Sequence, residues 1–273
     1  MPIEKTEGFV LKAYNWSESS RTIVFFTRKS GKLSLTDRGG RSLKSKRGRA
    51  IPFARLELTY YSSERESAGH LSEVNIEEAW TFEDESALGR LAFGSAVCEM
   101  LRLTLPDHEP HEDLYIYSLK FFRCLSKSPR EALLPLFVCY YLRAISFLGY
   151  RPVLSACVAC GRKKEDFSVS ARFYKLSPDR GGVICNSCQS EGERYIQLSA
   201  EDMNWAAALQ TSSLEEAESE TISYQRAFRV LDALLWFLKT QTGIGKINSL
   251  DFLNKLKQAQ GSLGINQPGS QPV

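Results

Sequence analysis

Apolar residues in the first 80 positions fall in short runs or alternate with polar ones, and the period changes near residue 84. Gly8–Asn15, Arg21–Thr27 and Lys32–Asp37 read as strands, the last two joined by the hairpin turn Arg28-Lys29-Ser30-Gly31. Arg55–Tyr61 puts Leu56, Leu58 and Tyr60 on one face and Glu57, Thr59 and Tyr61 on the other, which predicts a half-buried strand. His70–Ala79 is a fifth, with Leu71, Val74 and Ile76 as its apolar positions. Five short strands in so few residues suit a small closed barrel, of which the OB-fold is the commonest five-stranded form.

From Asp84 to Leu105 the spacing is helical, with Leu88, Leu91, Ala92, Ser95, Cys98, Arg102 and Leu105 in register and the small or apolar members forming the expected buried stripe. Leu114, Tyr117, Phe121 and Leu125 predict a second helix. Ser128-Pro129-Arg130-Glu131 reads as a capping box with proline at the first helical position, opening a third. Pro135 should kink that helix or delay its regular part, and Gly149 with Pro152 should end it. Cys157 to Cys188 reads as an irregular insertion. Helices are expected again over Ser199–Leu209, capped by Ser199, and from about Ser213 to Thr240, where Leu231, Leu234, Leu235 and Leu238 make a broad apolar face. A short helix over Ser249–Gln258 and a disordered Gly/Gln/Ser/Pro tail would close the chain.

The fold class expected is therefore α+β: an N-terminal OB-fold barrel (1–82), then an all-α helical domain in two parts (83–152 and 196–260). A four-cysteine module (153–195) interrupts it, and a tail (261–273) follows. The chain has 273 residues, 43% hydrophobic and 25% charged, which excludes wholesale disorder and low-complexity polymers. Its longest apolar runs, such as Leu133–Val138, are far short of the roughly 20 residues a bilayer requires. Glu4, Lys5 and Glu7 near the N-terminus do not fit a secretory signal, so the expected location is the cytoplasm.

Charge changes the picture once it is localised. Asp37–Arg49 carries Arg38, Arg41, Lys44, Lys46, Arg47 and Arg49 against the single acid Asp37, a net +5 in a chain of net +3. One basic segment on a slightly acidic body points to a polyanionic partner. Gly39, Gly40 and Gly48 loosen the segment, so that its six cations can follow a phosphate backbone. Tyr14, Trp16, Phe53, Tyr60 and Tyr61 are close by in sequence. Most of these rings are expected in the core, with Trp16 in the polar stretch Asn15–Ser20 as the exposed candidate for base stacking.

The sharpest motif is Cys157-Val-Ala-Cys160-Gly161 with Cys185-Asn-Ser-Cys188, two C-x-x-C pairs 24 residues apart. A two-residue spacer turns both sulfurs toward one point. Four thiolates make a closed tetrahedral zinc site that braces a fold and leaves no position for a substrate. Gly161 is expected to free backbone amides for the thiolates. Paired disulfides run against a reducing compartment, and a redox C-x-x-C lacks its strand–helix context. Cys98, Cys124 and Cys139 fall on helices as small core residues. His108 and His111, in Pro106-Asp-His-Glu-Pro-His-Glu-Asp113, read as part of a solvated interhelical loop rather than a metal site. No phosphate-binding loop, dinucleotide fingerprint, deaminase motif or catalytic triad is present, so no catalytic residue is assigned and an enzyme is not expected.

Several segments resemble one family. Thr6-Glu-Gly-Phe-Val-Leu-Lys12, Ser17-Glu-Ser-Ser-Arg-Thr-Ile-Val24, Phe26-Thr27 and Gly31-Lys-Leu-Ser34 are similar to the opening of the RecO family of bacterial recombination mediators. The basic loop Arg38-Gly-Gly-Arg41 to Lys46-Arg47, the pair Pro52-Phe53 and Arg55-Leu-Glu-Leu58 continue the likeness. So do Leu148-Gly-Tyr150-Arg-Pro152 before the first cysteine pair and Gly181-Gly-Val-Ile-Cys185-Asn-Ser-Cys188. The resemblance implies binding of single- and double-stranded DNA and annealing of complementary strands. It also implies work with RecR and RecF to load RecA on strands coated by single-stranded-DNA-binding protein, whose acidic tail is a further partner. Read from the residues alone, an RNA-binding OB protein acting on tRNA or ribosomes, a hydrolase and a protein-binding scaffold remain the rivals.

Overall fold

A computed structural model describes residues 2–40, 49–62, 68–167 and 172–250. The predicted final helix lies mostly beyond residue 250, and the tail 261–273 lies wholly outside the described residues, as does most of the basic loop.

All five strands form. β1 (Ile3–Asn15), β2 (Arg21–Thr27), β3 (Gly31–Asp37), β4 (Ala54–Tyr61) and β5 (Gly69–Ala79) close into a barrel in the order β1-β2-β3-β5-β4. Every pairing is antiparallel except β3 with β5, where Leu35 faces Gly69. Alternation decides what the barrel encloses. In β3 and β4 every second residue is buried, so Leu33, Leu35, Leu56, Leu58 and Tyr60 fill the interior with Ile23, Phe25 and Val74. β1 and β2 break alternation because both their faces are covered. Val10, Ile23 and Phe25 point inward, while Phe9, Leu11, Val24 and Phe26 join the helical core. The contact is aromatic: Phe9 stacks on Tyr115 at 5.7 Å between ring centres and meets Phe122 edge-on at 5.3 Å. Trp80 at the end of β5 stacks on Phe122 at 5.4 Å.

The helical region contains α1 (Ala87–Thr104), α2 (Glu112–Lys127), α3 (Leu133–Phe147), α4 (Ala200–Thr211), α5 (Leu214–Glu218) and α6 (Tyr224–Thr242). α3 is apolar on every side, as befits a helix surrounded by the others. Pro135 sits in its first turn, preceded by a short 3-10 turn over Arg130–Ala132. Two expectations need correction here. The buried stripe of α1 is only in part the one its spacing predicted: Ala92, Cys98 and Leu105 are buried, but Leu88 and Leu91 are exposed, and Phe93, Ala96, Val97, Met100 and Leu101 are buried as well. α1 is wedged between the barrel and α3, which widens its buried arc and moves its centre. Ser128 forms no capping box either. Its hydroxyl lies 2.7 Å from both the Cys124 carbonyl and the Glu218 carboxylate and shares its one proton between them, closing the end of α2 instead. A genuine box opens α5, where Ser213 and Glu216 exchange hydrogen bonds of 3.1 and 2.7 Å. Ser213→Ala should cost about 1 kcal/mol, read as a lowered midpoint in urea unfolding with an unchanged slope.

The stretch expected to be irregular contains two strands, β6 (Phe173–Ser177) and β7 (Gly182–Ile184), and a third, β8 (Ile196–Ser199), opens the part expected to be all-helical; together they form a small antiparallel sheet in the order β7-β6-β8. Its strands are too short for a clear period. Leu176, Val183, Ile196 and Leu198 join the helical core, whereas Ile184, Phe167 and Tyr195 pack with the cysteines. Lys164, buried, ties this unit to α4 by donating to Asn204 at 2.7 Å, and burial lowers its pKa. Among the described residues no helix is long and apolar enough to cross a membrane.

Candidate metal centre and nucleic-acid interface

The structure brings the two cysteine pairs together. The sulfurs of Cys157, Cys160, Cys185 and Cys188 all lie within 4.8 Å of one another. Tetrahedral zinc–thiolate bonds of about 2.3 Å imply sulfurs about 3.8 Å apart. The Cys160 and Cys185 sulfurs are 3.8 Å apart, so the donor set fits such an ion. Each pair sits on a turn. The Gly161 amide donates to the Cys157 carbonyl at 2.8 Å, and the Cys188 amide to the Cys185 carbonyl at 3.0 Å. Gly161, with φ of +73°, turns the chain out of the first pair, but its amide does not serve a thiolate. The amides that do are those of Cys185, at 3.4 Å, Cys160 and Ala159. Burial alone would raise the Cys157 thiol, but these donors outweigh it and lower it to about 6. These donors favour the thiolate, the form that ligates a metal. Around the centre, Arg180 donates to the Cys188 carbonyl at 3.3 Å and pairs with Glu193 at 2.8 Å.

The other cysteines differ in kind. Burial raises Cys98 and Cys124 to about 12 and Cys139 to about 11, so they stay protonated. His108 and His111 belong to no metal-binding group among the described residues. Their loop is exposed but clasps β3, the His108 amide donating to the Lys32 carbonyl at 3.0 Å.

Of the six cations singled out in the basic segment, Arg38 and Arg49 are described, and both are exposed. Arg41, Lys44, Lys46 and Arg47 lie outside the described residues. The ends of the segment are held firmly. Asp37, only 5% exposed, pairs with Arg21 at 2.9 Å, and the same guanidinium reaches the Ala50 carbonyl at 3.4 Å. The one acid of the segment is thus turned inward onto β2. Gly40 leaves room at this point for the Asp37 carboxylate, 1.9 Å from where a Cβ would fall, so a side chain there would push Asp37 off Arg21. Arg21 and Asp37 face each other in the β2–β3 register, so the β1–β2 turn and the basic segment leave the barrel side by side. That turn carries Trp16, exposed as expected, at 58%. Tyr14 and Tyr61 are exposed as well, Phe53 is half-buried, and of the five rings only Tyr60 lies in the core.

The profile of the Recombination protein O N terminal matches residues 1–80, and that of the Recombination protein O C terminal matches residues 85–251. The chain belongs to the RecO family. A DNA repair protein RecO from Symbiobacterium thermophilum is 28% identical over 95% of this chain and all of its own length. One from an Anaeromyxobacter species is 31% identical over 88% of this chain and 91% of its own. Another, from Caldanaerobacter subterraneus, is 31% identical over 67% of this chain and 70% of its own. A RecO-type fold and a role in DNA repair and recombination follow from that membership, and the four-cysteine cluster is compatible with zinc.

Proposed function

We propose that this chain is a non-enzymatic mediator that holds single- and double-stranded DNA and anneals complementary strands. With RecR and RecF, it would help load RecA where single-stranded-DNA-binding protein coats the strand, engaging that protein's acidic tail. It would work in the cytoplasm, at the nucleoid. Membership of the RecO family supports the reading, and the observation that carries it is the basic segment whose only acid is consumed by Arg21. Annealing makes and breaks no covalent bond. Its barrier is the repulsion of two phosphate backbones, and a surface that gathers cations lowers it by displacing condensed counterions. Arg38, Arg41, Lys44, Lys46, Arg47 and Arg49 are assigned to phosphate contact. Cys157, Cys160, Cys185 and Cys188 are assigned to a structural zinc ion. Zinc would supply a cross-link between the two turns; the helical core and the Arg180–Glu193 pair orient those turns around it.

Strand annealing tests the reading. Complementary oligonucleotides coated with single-stranded-DNA-binding protein should pair faster with this protein than without it, and the advantage should shrink steeply as salt rises. Equal rates at low salt would refute it.

A further inference from the structure

The barrel and α1 do not close fully on each other. A cleft of about 670 Å³ separates them. β1 contributes Lys12 and Tyr14, the returning end of the basic segment contributes Pro52 and Phe53, and α1 contributes Ser95 and Arg102. At one side, the Glu99 carboxylate is occupied by Ser249, whose amide and hydroxyl donate at 2.8 and 2.7 Å, and by Asn248 at 3.0 Å. Lys12 and Arg102 have no acidic partner among the described residues. Tyr14 is 46% exposed. The cleft therefore pairs two uncommitted cations with an accessible ring, in a volume within the roughly 300–1,000 Å³ of small-molecule sites. It also opens where the chain returns from the basic segment, since Ala50 and Pro52 line it.

We propose that this cleft seats one unpaired nucleotide of a single DNA strand as the strand leaves the basic segment. Its phosphate lies on Lys12 and Arg102, and its base lies against Tyr14 and Pro52. The proposal rests on the DNA-holding reading above and extends it from phosphate contact to a seat for a base. A duplex keeps its bases stacked and paired and cannot offer one, so the cleft distinguishes single from double strands. Stacking is tolerant of base identity, so no sequence preference arises from it.

Photocrosslinking of the intact wild-type protein tests this without any variant. A single-stranded oligonucleotide carrying 5-iododeoxyuridine should crosslink to the peptide containing Tyr14, and the same label inside a duplex should not. In binding titrations, Lys12→Ala with Arg102→Ala should flatten the single-strand salt slope by about 0.7, the contribution of the one phosphate the two cations share. Wild type should prefer an oligothymidine to an abasic strand of equal length by about fivefold or more, and Tyr14→Ala should abolish that preference. Crosslinks confined to other peptides, equal crosslinking of duplex, or an unaltered slope in the double variant would overturn the cleft and leave the basic-segment reading standing. Failure of wild type to bind DNA at all would overturn both.

Discussion

Cys157→Ser is expected to empty the four-cysteine centre and to lower stability by roughly 5 kcal/mol or more, at the far end of what single substitutions do. Cys157 is the ligand for which the surrounding chain does most. It is 2% exposed, and three amides donate toward its sulfur and favour the thiolate. A serine hydroxyl in its place stays protonated and ligates weakly, so the cross-link between the turns opens. Structural zinc in isolated finger peptides is worth about 10–16 kcal/mol. Less should be lost here, because Leu176, Val183, Ile196 and Leu198 keep their places in the helical core. For a chain of this size the loss should lower the unfolding midpoint by about 10–20 °C. Cys124→Ser is the control, a half-buried thiol on α2 outside the four-cysteine group, whose loss should move the midpoint little. Elemental analysis and calorimetry on the same samples settle the matter. One zinc per chain in wild type and little in Cys157→Ser is the expected pair of results. A metal-free wild type, or equal midpoints in both proteins, would remove zinc from the account.

What was legible in the sequence followed from how many faces each element buries. β4 buries one face, so its alternation gave the strand to within one residue. β1 and β2 bury both, one inside the barrel and one against α1 and the rings of α2, which is why Phe9-Val10-Leu11 and Ile23–Phe26 read as unbroken apolar runs. The run marks the strand but cannot say which residue faces which side. α1 shows the same limit in a helix. Its periodicity was read about Leu88 and Leu91, yet contact with two bodies centres burial on Ala96, Val97 and Met100. The four cysteines were legible because ligand spacing is a local property of the chain. The cleft between barrel and α1 was not, because Lys12, Pro52 and Arg102 come from three distant segments. Nor was the fate of Asp37. Only the β2–β3 register sets it opposite Arg21 and takes it out of the basic segment's charge balance.

That balance leads to the other large effect. Replacing Arg41, Lys44, Lys46 and Arg47 together by alanine should flatten the salt dependence of single-strand binding by about 2.8 in slope, at about 0.7 per lost phosphate contact. If binding extrapolated to 1 M salt is unchanged, affinity at 0.1 M falls by about 600-fold. Duplex binding should change more steeply, by about 3.6 in slope, since its counterions are more densely condensed. The loss should be uniform across DNA sequences, because phosphates are alike whatever base they carry. Stability should be unaffected. The ends of the segment are fixed by Arg21, Asp37 and Ala50, none of which is altered, so the barrel keeps its closure. A variant with Arg41 and Arg47 changed to lysine separates charge from geometry. It should retain the wild-type slope if the segment acts as a cloud of cations, and lose affinity without loss of slope if guanidinium forks grip particular phosphates. Titrations at several salt concentrations read all of this directly. A quadruple variant with the wild-type slope would mean that these cations face away from the DNA, and the phosphate-binding surface would have to be sought elsewhere on the molecule.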